Sequence, residues 1–87
     1  MENYLIIFQS DKEDVQNRLI ERIKRFKLWA KVTDCAWLVK SDNKDSVDIR
    51  NSLKGLLFND NGRLIVFNIT DSGFASYAIP KVVTSRL

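Results

Sequence analysis

Residues 33–41 read Thr33-Asp34-Cys35-Ala36-Trp37-Leu38-Val39-Lys40-Ser41, a polar turn followed by a β-type run. Alternation puts Cys35, Trp37 and Val39 on one face and Ala36, Leu38 and Lys40 on the other. Both faces are largely apolar. That predicts a strand inside a sheet, covered on two sides, with Cys35 buried as a small core residue.

Upstream, Tyr4 to Gln9 has the same two-faced character. Tyr4, Ile6 and Phe8 share one side, and Leu5, Ile7 and Gln9 share the other. Ser10 with Glu13 three residues on has capping-box spacing. Val15, Leu19, Ile20, Ile23 and Phe26 follow at helical spacing, which predicts a helix with Asp11, Glu13 and Asp14 in its first turn. Leu28–Val32 is a short strand entering the quoted stretch. Downstream, Asp45 is the expected cap of a second helix with the stripe Ile49, Leu53, Leu56 and Leu57. Asn59-Asp60-Asn61-Gly62 is a turn by composition. In the strand Arg63–Thr70, Leu64 and Val66 oppose Ile65, Phe67 and Ile69. Phe74–Ile79 is read as a short fifth strand, which Pro80 restricts to a sheet edge.

Strand, helix, strand, strand, helix, strand is the ferredoxin-like order, and an α+β sandwich of that plan is the predicted fold, as one domain over residues 1–87. Its helices cover one sheet face. The second apolar face then needs a cover, and a second copy of the chain is the economical one. A chain of 87 residues has only a modest core of its own, which also favours self-association. Trp37, Tyr77 and Ile79 are the expected dimer-interface residues.

The chain has no histidine and a single cysteine. Histidine general bases, Ser–His or Cys–His nucleophiles and the usual zinc sites are therefore excluded, and a reducing cytoplasm is expected. No run is long enough to span a bilayer, and no basic n-region precedes the first strand, so no membrane partner is expected. No cofactor is expected either. The net charge of +3 is mild but unevenly spread. Residues 18–31 carry Arg18, Arg22, Lys24, Arg25, Lys27 and Lys31 against Glu21 alone. A solvated helix face is the ordinary reading of such a run; phosphate contact is the functional one. Arg18, Arg22, Arg25, Lys27 and Lys31 are the nucleic-acid-binding candidates. Trp29, flanked by Lys27 and Lys31, is the candidate for stacking on a base, against the plainer reading of core packing.

The strand Asp34–Val39, taken with Tyr4-Leu5-Ile6-Ile7-Phe8, Ile49-Arg50-Asn51-Ser52-Leu53, Arg63–Val66 and the tail Ser76–Pro80, resembles the small subunit of CRISPR spacer acquisition and its short relatives. Virulence-associated protein D is a more distant likeness. The resemblance covers most of the chain and rests on strand and helix patterns. It implies a ferredoxin-like homodimer with facing sheets, in which the segment after the fourth strand joins the partner's sheet. It also implies, for some members, a metal-dependent nuclease whose aspartate ends the first strand. Here that position is Gln9, a neutral and poor magnesium ligand. Asp11 lies two residues further on, where its plainer role is that of a helix-start acid.

The expected function is a non-catalytic homodimeric module that binds RNA or DNA or supports an assembly. The balance is against an enzyme. A metal-dependent endonuclease using Asp11 is one alternative. A module that binds another protein, of toxin, antitoxin or inhibitor type, is the other.

Overall fold

The structure is a computed structural model and describes residues 2–57 and 61–71. Its elements are β1 (Glu2–Gln9), α1 (Glu13–Ile23), β2 (Leu28–Thr33), β3 (Ala36–Ser41), α2 (Ser46–Lys54), a 3₁₀ turn (Gly55–Leu57) and β4 (Arg63–Asn68). The strands form one antiparallel sheet in the order β2-β3-β1-β4. The fold is α+β. The fifth strand expected at Phe74–Ile79 and the interface residues Tyr77 and Ile79 lie outside the described residues, as do Asn59 and Asp60 of the Asn59–Gly62 turn.

Strand parity decides where the core sits. Tyr4, Ile6 and Phe8 of β1 and Trp37 and Val39 of β3 face the two helices. They bury Val15, Leu19 and Ile23 of α1 and Ile49 and Leu53 of α2 in one cluster. Leu64 and Val66 close it from β4, and Leu56 and Leu57 from the 3₁₀ turn. Each fully buried side chain of this size stabilises the fold by about 1.5–3 kcal/mol.

The opposite sheet face is divided. Towards β2 and β3, Ala30 and Leu38 are buried, with Val32 and Ile69 packed against them. Towards β1 and β4, Ile7, Ile65 and Phe67 are 37%, 47% and 45% exposed. The ladder sets Leu5 opposite Phe67 and Ile7 opposite Ile65, so these side chains form one continuous apolar patch.

Four expectations are corrected. Cys35 is exposed, because Asp34 and Cys35 form the turn between β2 and β3 and the strand begins only at Ala36. Ser10 does not cap α1. Its Oγ accepts the Lys12 N–H at 3.1 Å, closing a local turn that delays the helix to Glu13, so Lys12 takes the cap position without a side-chain bond. Asp11 consequently stands before the helix, exposed, and not in its first turn. Trp37, expected at a dimer interface, is only 3% exposed and lies in the helix-side core. Trp37 and Leu38 alternate across the sheet as expected, but the face Trp37 occupies is the one the helices cover.

Candidate functional site

The end of α1 and the end of β3 meet at one corner of the molecule. Arg22 lies in the last turn of α1. The chain then tightens: the Arg25 N–H donates to the Arg22 carbonyl at 3.2 Å and the Phe26 N–H to the Ile23 carbonyl at 3.1 Å. This turn carries Arg25, Phe26 and Lys27 directly into β2. Leu28 pairs with Lys40, which sets the turn beside the exit of β3. Ser41 is buried there, and its Oγ donates to Asn43 Oδ1 at 3.3 Å, shaping the loop towards α2. Asp45 ends that loop as the cap of α2.

Between these segments lies a cavity of about 530 Å³. Arg22, Arg25, Lys27, Lys40 and Lys44 line it, and Asp42 is the single acidic side chain among the described residues that do so. The volume falls within the range of about 300–1,000 Å³ common for small-ligand clefts. Arg22 is fastened across it: Nη1 donates to the Ser52 carbonyl of α2 at 2.9 Å. A guanidinium has five N–H donors, so this anchor leaves most of them for an anion. Phe26 forms an apolar wall, half-buried against the core, and Lys44 Nζ stands 5.6 Å from its ring centre. The lining thus combines an anchored guanidinium and four further cations with one aromatic face.

Of the five binding candidates read from the sequence, the fold brings together Arg22, Arg25 and Lys27. Arg18 stands a turn further up α1, where Nη2 pairs with Asp14 at 3.7 Å on the open surface. Lys31 is at the other end of β2. Its Nζ contacts Asp34 at 2.9 Å across the hairpin turn and holds that carboxyl below the usual aspartate range, by hydrogen bonding first and by charge second. Lys40 and Lys44 complete the site and were missed. The signal for them was antiparallel pairing: a β2–β3 hairpin joined near residue 34 returns residues 40–44 to the start of β2.

Trp29 is not an open stacking platform. It packs against Trp37 with ring centres 5.7 Å apart, and Lys24 Nζ lies 5.2 Å from its ring centre. Both rings belong to or pack on the core, where the cation–π contacts add about 0.5–1 kcal/mol at an exposed lysine.

A second cavity, of about 570 Å³, opens where β1 ends and is lined by Ile7, Phe8, Gln9, Cys35, Arg63, Leu64 and Ile65. Gln9, the position where the resemblance would place a metal-binding aspartate, is paired in register with Arg63. A guanidinium beside that position opposes a divalent cation by charge. No family model matches the chain, and no curated protein matches it.

Proposed function

We propose that this protein is a non-catalytic, homodimeric module of ferredoxin-like fold that binds nucleic acid through the corner between α1 and the β3–α2 loop. The observation that carries the reading is the cavity with five cations against one carboxylate. Such a concentration on concave ground attracts polyanions, because several phosphates release their counterions on contact. The fold assignment is supported by the strand order β2-β3-β1-β4 with two helices on one face, the arrangement that interleaved split βαβ units require. The resemblance to the small subunit of spacer acquisition and its relatives points the same way, towards a scaffold that holds nucleic acid. Self-association is supported by the apolar patch of Ile7, Ile65 and Phe67 on the face away from the helices. The non-catalytic reading is supported by Arg63 beside Gln9 and by the exposed setting of Asp11, outside both cavities described above.

The test is titration of a fluorescent oligonucleotide at several salt concentrations. Binding should weaken steeply as salt rises. The triple variant Arg25→Gln, Lys27→Gln, Lys44→Gln should lower affinity and flatten the salt dependence together, since each lost phosphate contact removes about one unit from the logarithmic slope. These three side chains make no hydrogen bond to another element among the described residues, whereas Arg22 does; the variant should therefore fold normally. Unchanged binding in the variant moves the site elsewhere, and absence of binding at low salt favours a protein partner.

A further inference from the structure

Within the proposed nucleic-acid site, on which this inference rests, we infer that the cavity takes an unpaired nucleotide, and that the protein is therefore selective for single strands. Two features point there. The cations alone suit any polyanion, single or double. The cavity is concave, however, and its wall is the ring of Phe26, held in place by packing against the core. A phosphate on a duplex reaches a basic surface from outside, but its bases are stacked on each other and stay within the helix. Only a nucleotide free of pairing can place its phosphate among Arg22, Arg25, Lys27 and Lys40 while its base reaches Phe26.

Lys44 supplies the second feature. It comes from the loop opposite and its ammonium covers Phe26 in the free protein, 5.6 Å from the ring centre. An ammonium on a flexible stem leaves an aromatic ring readily for a phosphate, which offers it a charge-assisted contact. Its departure uncovers the ring face just as the phosphate arrives. Phosphate capture and base stacking are thereby linked through one side chain. Every base has a π face, so the stacking carries little sequence preference.

The experiment compares four probes on the full chain at one salt concentration: oligothymidylate, oligouridylate, a DNA duplex of equal length and inorganic polyphosphate. Single strands should bind about tenfold more tightly than the duplex, in line with one stacked base. Phe26→Leu should remove that preference, lowering single-strand affinity by about tenfold and shifting duplex and polyphosphate binding by no more than about twofold, since Lys44 is then free of the ring. Phe26→Tyr, which keeps the ring, should retain the preference and control for packing. The tighter of the two single strands identifies the backbone, RNA or DNA. Equal binding of single strand and duplex, with Phe26→Leu silent, overturns this inference and leaves the nucleic-acid reading standing. A parallel loss for polyphosphate in Phe26→Leu also overturns it, because the ring would then serve only to shape the cavity. Failure of all four probes to bind overturns both.

Discussion

At the scale of single residues, side-chain chemistry is governed by partners that no local pattern announces. Tyr4 is completely buried, yet its hydroxyl donates to Glu2 Oε2 at 2.6 Å. That bond first, and burial second, push the phenol up from 10.0 to about 12. A raised value means that the folded state holds the proton more tightly than the unfolded chain. The stability tied to this proton is complete below pH 10 and is lost as pH rises from 10 towards 12. Tyr4→Phe has no such proton. Urea midpoints followed by tryptophan fluorescence at pH 8, 10 and 11 should show a wild-type advantage that shrinks as pH rises. An advantage constant across that range would rule out the phenol as its source. The alternation of β1 was enough to place Tyr4 in the core, but the reach of its hydroxyl to Glu2 was not legible. Ser10 departs from its expected role for a related reason. Spacing marked Ser10 as a cap, and a competing hydrogen bond to Lys12 N–H, two residues away, took its oxygen instead.

At the scale of elements, the second helix behaves as its first residues indicate. Asp45 Oδ1 accepts the Asp48 N–H at 2.9 Å, and Asp48 Oδ2 accepts the Asp45 N–H at 3.2 Å. This reciprocal pair satisfies two end groups of α2 and also fixes the exit of the loop that carries Lys44. Asp45→Ala should therefore cost about 1 kcal/mol of stability, measured by urea unfolding, with α2 the element that loosens. It should also weaken nucleic-acid binding beyond any charge effect, because removing an aspartate from a basic corner would otherwise strengthen it. An Asp45→Ala protein that is as stable as wild type would show that packing of Ile49 and Leu53 alone sets the helix start. The site itself was half legible. Arg22, Arg25 and Lys27 follow one another in sequence and stand out as a cluster. Lys40 and Lys44 are separated from them by a hairpin, and only the register Leu28 with Lys40 unites the two groups.

At the scale of the whole molecule, the two apolar faces of β1 and β3 were legible, because strand alternation is a strict two-residue period. Which face the helices take was not, since either assignment buries similar side chains. The choice matters for assembly. It puts Trp37 inside the core and leaves Ile7, Ile65 and Phe67 outside, so the interface between copies proposed above would lie on the β1–β4 half of the free face. Leu5 with Phe67 and Ile7 with Ile65 are cross-strand neighbours there, a compact patch that water meets directly. Sedimentation across a dilution series should show a dimer at micromolar concentration. Phe67→Glu should convert it to a monomer, because a carboxylate in a desolvated interface costs several kcal/mol unless it is paired. The same substitution should leave the monomer's own fold within about 0.5 kcal/mol of wild type, as its position is already half open to solvent. Trp37→Glu makes the contrasting case: it places a charge among Tyr4, Ile23 and Val39 and should unfold the chain outright. A wild-type protein that remains monomeric at every concentration, or a Phe67→Glu protein that dimerises undiminished, would remove this face as the interface between copies.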